Sequence, residues 1–299
     1  MKTTQEILSD SATYLERHGS ESSRADAEWL MCEALDVDKL ELYMQFDRPL
    51  GDAELARLRP LLRRRAAGEP VQYIIGDVTF HSVELVVGPG VLIPRPETER
   101  LVDEALQRYP GEGAILDVCT GSGAILFAMN NGLDGPVPMI GVDASADALA
   151  WALRNRELLA AEHIDFLQGD LFEPVAEQKF VLITANPPYI ASCDLERLPN
   201  NVCGFEPHEA LLAGDDGLAV IRRIAMSAAA CLCNGGQLLC EIGAAQGEAA
   251  QQQGEAARII HGATAHFVHS RWKFWRQLCG LVIRSATSFC TMTTMRFHG

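Results

Sequence analysis

Ala114-Ile-Leu-Asp-Val-Cys-Thr-Gly-Ser-Gly-Ala124 decides how this chain folds. Ala114–Val118 is an apolar run that reads as a buried strand, and Ala124–Asn130 reads as the helix that follows it. Between them, Asp117–Ala124 is a strand-to-helix turn whose glycines allow tight backbone geometry and close approach of a ligand. The same alternation continues outward. Pro138–Asp143, Ile164–Gln168, Phe180–Thr184 and Gly236–Glu241 read as strands, and Ala146–Leu158, Leu218–Leu232 and Gly247–Ile260 as helices. Strand–helix alternation of this kind implies a parallel sheet covered on both faces. Ligands of such sheets bind beyond the C-terminal strand ends, where the strand order reverses. Asp117, Gly121, Asp143 and Asp170 all fall at those ends. Asp143 lies 20 residues after Gly123 and can accept hydrogen bonds from two ribose hydroxyls. Asp170 can accept from an adenine amino group, with Leu171 packing on the ring. A dehydrogenase is a weak alternative, because Leu126 stands where the dinucleotide fingerprint needs its third glycine.

Asn186-Pro-Pro-Tyr189 follows the strand Phe180–Thr184 directly. Two prolines remove two N–H donors and stiffen the corner. The Asn186 side-chain oxygen and the nearby carbonyls, that of Pro187 among them, then offer acceptors to an NH₂ group. Tyr189 supplies a flat face for the same planar group. A corner of this type can hold an amide or a nucleobase amine beside a methyl donor.

The chain has 299 residues, enough for one moderate domain and a smaller one. A net charge of −15 argues against a general nucleic-acid binder, which needs clustered cations to neutralise phosphates. Nine cysteines without a Cys-x-x-Cys pair fit reduced thiols in a cytoplasmic protein, and a metal site is not expected. The N-terminus lacks the apolar segment of a signal peptide, and no run of ~18 apolar residues suggests a membrane span. Residues 1–72 read as helical. Gln5–His18 and Asp52–Ala67 have helical spacing, and Ser23 reads as the cap of a helix through Leu35. Arg63-Arg-Arg65 reads as a solvated last helical turn. Residues 73–96 read as a β-hairpin connector. Short β-branched runs at Val71–Ile75, Val78–Phe80 and Val83–Val87 read as strands, and Arg100–Tyr109 as a helix. In the tail, Ala265–His269 and Gly280–Arg284 read as closing strands, while Trp272, Phe274 and Trp275 crowd together.

Several stretches together resemble the bacterial peptide chain release factor glutamine methyltransferase family (HemK/PrmC type), over roughly residues 1–250. They are Gly68-Glu-Pro-Val-Gln-Tyr-Ile-Ile-Gly76, Ile93-Pro-Arg-Pro-Glu-Thr-Glu99, the Asp117–Gly123 turn, Asn186–Tyr189, Phe205-Glu-Pro207 and Gly214-Asp-Asp-Gly217. The resemblance implies a Rossmann-like methyltransferase domain over 97–299 and a helical domain over 1–72 that docks the substrate. It implies S-adenosylmethionine as cofactor and S-adenosylhomocysteine as product. The acceptor would be the glutamine of the Gly-Gly-Gln loop in bacterial release factors. Cofactor contacts would fall on Asp117, Cys119, Thr120, Gly121, Ser122, Gly123, Asp143, Asp170, Leu171 and Asn186. Substrate contacts would fall on Asn186, Pro187, Pro188 and Tyr189, with Asn186, Pro187 and Tyr189 catalytic.

Two features depart from the family. Cys119 stands where many members have glycine, and the family's closing Asp-x-x-Gly-x-x-Arg-Val-like segment is missing, so 260–299 reads as atypical, from a divergent or frame-shifted end. A glutamine methyltransferase of a ribosomal protein, an adenine-N6 methyltransferase of nucleic acid and a non-catalytic release-factor-binding module share parts of this pattern. We expect a cytoplasmic monomer with no membrane or direct nucleic-acid contact. Gly235-Gly-Gln237 matches the substrate tripeptide but reads as a turn.

Overall fold

A computed structural model describes residues 1–243, 246, 264–270 and 293–296, the last two stretches as strand backbone. The chain divides into two compact units. The first takes Met1–Asp77, Val87–Pro89 and Leu198–Glu206, and the second takes Val78–Val86, Gly90–Arg197 and what is described from Pro207 onward.

The first unit begins with helices α1 (Thr4–Arg17), α2 (Ser23–Leu35), α3 (Lys39–Met44), α4 (Asp52–Ala66) and α5 (Val71–Ile75). Thr3 and Glu6 cap α1 reciprocally, and Asp38 and Glu41 do the same for α3, satisfying amides that a helix start leaves open. Leu8, Leu15, Leu30, Met31, Leu42, Leu58 and Ile74 form the core of this unit. Three expectations are corrected. Val71–Ile75 is one helical turn, not a strand, because Pro70 opens it and Gly76 closes it in the left-handed conformation at φ 91°. Residue Ser22, not Ser23, occupies the cap of α2, and its side chain makes no capping bond. Arg65 is not solvated: its Nε donates to Asp26 at 2.7 Å, with side chains only 11% and 8% exposed. Arg64 pairs with Glu69 at 2.6 Å nearer the surface.

A two-stranded sheet of β1 (Asp77–Phe80) and β2 (Val83–Val86), in the second unit from Val78 onward, forms as the β-branched spacing suggested. Then follow α6 (Glu99–Arg108), β3 (Ile115–Val118), α7 (Ala124–Gly132), β4 (Met139–Asp143), α8 (Ala146–Leu158), β5 (Ile164–Gln168) and β6 (Phe180–Ala185). After α9 (Asn200–Cys203), which belongs to the first unit, come α10 (Ala219–Cys231), β7 (Leu232–Gly243), β8 (Thr264–Ser270) and β9 (Thr293–Arg296). The large sheet runs β5-β4-β3-β6-β7-β8-β9. All its pairings are parallel except that of β9, which runs antiparallel to β8.

Successive strand residues point to opposite faces. Leu116, Ile183 and Leu238 pack with Ile221 and Ile224 of α10 on one side. Ile115, Leu182 and Leu239 pack with Leu101 of α6, Phe127 of α7 and Leu85 of β2 on the other. This two-sided burial is why the strands read as continuous apolar runs rather than alternating ones. Gly235-Gly-Gln237 lies inside β7, where the register against β6 shifts, rather than in a turn before the strand. The helix read over Gly247–Ile260, the strand over Gly280–Arg284 and the Trp272–Trp275 crowd lie outside the described residues. Among the described residues, no helix is long and apolar enough to cross a membrane.

Candidate active site

The order β4-β3-β6 places the site. From β3 the chain builds outward through β4 and β5, then returns to pair β6 on the opposite edge of β3. Val118 and Ala185 are register partners, so the turn after β3 and the corner after β6 leave the sheet side by side. That is the topological switch point of an open α/β sheet.

A cavity opens there, lined by Cys119, Thr120, Gly121, Ser122, Asp143, Asp170, Leu171, Asn186 and Pro188 among the residues singled out in the sequence. Asp117, Gly123, Pro187 and Tyr189 do not line it. Gly121 and Gly123 adopt φ 57° and 81°. An added Cβ on Gly123 would lie 2.5 Å from the Phe127 ring, so glycine is required there by conformation and by space. Cys119 and Leu171 also sit in the left-handed region, at φ 59° and 53°. Such strain in non-glycine residues concentrates at ligand sites. The buried surroundings and neighbouring carboxylates push the Cys119 thiol well above its ordinary pKa, so it stays a thiol and not a nucleophile.

Asp143 closes β4 and ties the turn together. Its Oδ2 accepts from Gly121 N at 2.8 Å and its Oδ1 from Ser145 N at 2.9 Å. Burial raises its pKa, and those same N–H donors oppose the rise. Asp117 is fully buried; Thr184, its register partner on β6, donates to Oδ1 at 2.7 Å. Burial lifts its pKa to about 7, against the Thr120 and Thr184 hydroxyls. Asp117 Oδ2 and Thr120 Oγ1 are both short of a well-formed hydrogen bond. Asp170 pairs with Arg223, which also lines the cavity.

At the corner after β6, Asn186 Nδ2 donates to Thr98 Oγ1 at 3.0 Å. The Tyr189 hydroxyl donates to Glu241 Oε1 at 3.3 Å, while its ring packs partly buried on the core. Glu241 is 1% exposed at the end of β7, and burial lifts its pKa to about 7. Gln246 locks the corner from behind: its Nε2 donates to Tyr189 O at 2.9 Å and Gly217 O at 3.1 Å, and its Oε1 accepts from Gly243 N at 2.9 Å. Buried Asn155 on α8 does similar work at the glycine turn, bonding both backbone groups of Val86 and the Ser122 carbonyl.

Thr98, Glu241, Gln246 and Asn155 were not read from the sequence. Each is an ordinary polar residue whose role appears only when distant segments meet. Chemically, the arrangement offers a cavity lined by the Asp143, Asp170 and Glu209 carboxyls and by Arg223, beside a stiff corner with an amide oxygen turned away from Thr98. No group of metal-ligating side chains occurs among the described residues.

A family model described as the PrmC N-terminal domain matches residues 6–76, and one described as a methyltransferase domain matches residues 111–260. The release factor glutamine methyltransferase of Geobacter sulfurreducens is 44% identical over 82% of this chain and 86% of its own length. That of Vibrio cholerae is 41% identical over 83% of this chain and 86% of its own. A solved ribosomal protein L11 methylase from Lactobacillus delbrueckii subsp. bulgaricus aligns at 18% identity and TM-score 0.44, over 71% of this chain and 84% of that one. By its match to relatives over most of both lengths, the chain belongs to the release factor glutamine methyltransferase family.

Proposed function

We propose that this protein methylates the side-chain amide nitrogen of the glutamine in the Gly-Gly-Gln loop of bacterial peptide chain release factors, using S-adenosylmethionine and releasing S-adenosylhomocysteine. The observation that carries the reading is Asn186, which lines the cavity at the switch point with its Nδ2 engaged by Thr98. The amide therefore turns its Oδ1 to the other side, where an acceptor is needed. S-adenosylmethionine supplies a sulfonium methyl group as the electrophile. Asp143 would accept from the ribose hydroxyls, Asp170 from the adenine amino group with Leu171 packing on the ring, and the Cys119–Gly123 turn would make further contacts to the cofactor. The Asp143, Asp170 and Glu209 carboxyls that line the cavity suit that cation.

A carboxamide nitrogen is a weak nucleophile because its lone pair is delocalised into the carbonyl. Asn186 Oδ1 and the Pro187 carbonyl each accept one N–H of the substrate amide, which orients the nitrogen and favours charge growing on it. Held this way, the amide nitrogen would accept the methyl group as sulfur departs with the electron pair of the broken carbon–sulfur bond, and water would take the surplus proton. Alignment of this kind supplies up to ~7–11 kcal/mol in the best intramolecular cases. Fixed acceptors add electrostatic stabilisation without reorganising. The first unit docks the release factor, and the reaction takes place in the cytoplasm.

Asn186→Ala should abolish methyl transfer to purified release factor while cofactor affinity, read by calorimetry, is largely kept. Full activity in this variant would overturn the role given to Asn186. Ribosomal protein and DNA offered in parallel with labelled cofactor test the acceptor.

A further inference from the structure

The Ile93–Glu99 motif reaches the site through Thr98. Thr98 is 4% exposed at the end of the 3₁₀ turn Pro96–Thr98. Its hydroxyl oxygen accepts from Asn186 Nδ2 at 3.0 Å. The Thr98 hydroxyl also acts on the Glu241 carboxyl, whose ionised form it favours, although Oε2 makes no well-formed hydrogen bond. Tyr189 reaches the same carboxyl with its hydroxyl at 3.3 Å. Three segments distant in sequence thus converge on one buried acid: the turn before α6, the corner after β6 and the end of β7.

The donor and acceptor roles in this chain are not interchangeable. A carboxylate only accepts, a hydroxyl has one hydrogen to give, and a carboxamide has one end that donates and one that accepts. If Glu241 takes the Thr98 hydrogen, Thr98 can only accept from Asn186, and Asn186 must point its NH₂ inward and its oxygen outward. Reversing any member would present the Asn186 NH₂ to the substrate NH₂, two donors facing each other.

We infer that Thr98 and Glu241 are positioning residues that fix which end of the Asn186 carboxamide faces the substrate. Glu241 sets the polarity, Thr98 transmits it, and Tyr189 anchors the carboxyl from the corner itself. This rests on the proposed function, because an acceptor that presents an NH₂ group needs the Asn186 oxygen outward. Among the described residues, besides burial, Thr98 and Tyr189, Glu97 disfavours the ionisation of Glu241 and Arg95 favours it.

The test compares wild type with T98V, T98S and E241Q. Methyl transfer to purified release factor gives kcat and KM against pH, calorimetry gives cofactor affinity, and NMR gives hydrogen exchange of the Asn186 side-chain NH₂. Valine keeps the shape of threonine and removes the hydroxyl; kcat should fall roughly tenfold to a hundredfold, as for a misplaced reacting group. Cofactor affinity should hold, and the Asn186 NH₂ should lose its exchange protection. Serine should restore both kcat and protection. Wild-type kcat should rise with pH as Glu241, with its pKa near 7, ionises, and that rise should be missing in E241Q. T98V with wild-type kcat and protection, T98S as impaired as T98V, or an unchanged pH profile in E241Q would overturn the inference. A wild-type protein inactive on release factor would overturn the proposed function instead. The NMR arm still judges the Thr98–Asn186 bond in that event.

Discussion

Asp117→Asn tests the electrostatics beneath the site. Asp117 is fully buried, and its pKa stands at about 7 in the folded protein against an ordinary 3.8. Below the ordinary value both folded and unfolded chains carry the proton. Between pH 3.8 and about 7 the unfolded chain has lost it and the folded one keeps it. Stability therefore falls as pH rises through that window, by about 1.4 kcal/mol per pH unit for this one group. Above about 7 both states are ionised and the loss levels off, at about 4 kcal/mol for the full gap. Asparagine cannot ionise, and its oxygen can still accept from Thr184 as Asp117 Oδ1 does. The stability of the variant minus that of wild type should thus climb with pH and then flatten. Urea unfolding of both ligand-free proteins from pH ~5 to ~8 reads it. A difference independent of pH, or one that shrinks as pH rises, would refute the reasoning.

Two further outcomes rest on packing and charge. Gly123→Ala forces a side chain into the left-handed conformation at φ 81° with its Cβ 2.5 Å from Phe127 and 2.9 Å from Phe166. Conformation and overpacking together should cost about 2–4 kcal/mol in unfolding experiments, and cofactor affinity should fall with the distorted turn. Among the described residues, Arg65→Ala leaves the buried Asp26 carboxylate with the Ser20 hydroxyl as its side-chain donor, so it should destabilise the first unit by about 3 kcal/mol in denaturant. Asp26→Asn in the same chain should recover part of that loss.

The sequence made the large sheet legible because each strand is a short apolar run closed by a turn, and the helices between have helical spacing. Ala146–Leu158 and Ile164–Gln168 came out with the bounds the structure has. Local preference misled at Val71–Ile75, where β-branched residues suggest a strand but Pro70 and Gly76 leave room for one helical turn. Lys39–Met44 is too short to show a period; its signal was the Asp38/Glu41 capping pair. The Asp117–Gly123 turn and the Asn186–Tyr189 corner were legible because each is an unbroken motif. Thr98, Glu241 and Gln246 were not, since each acts across the fold on a residue more than fifty positions away. Tyr189 shows the same limit: its ring and hydroxyl turn to the core and Glu241, a direction no local pattern encodes.

The central claim is methyl transfer to one glutamine, and mass spectrometry of a digested release factor tests it most directly. After incubation with this protein and S-adenosylmethionine, the account predicts one added methyl group on the peptide carrying the Gly-Gly-Gln loop, located on its glutamine. An unmodified loop glutamine, with the label found on a ribosomal protein, on DNA or nowhere, would contradict it.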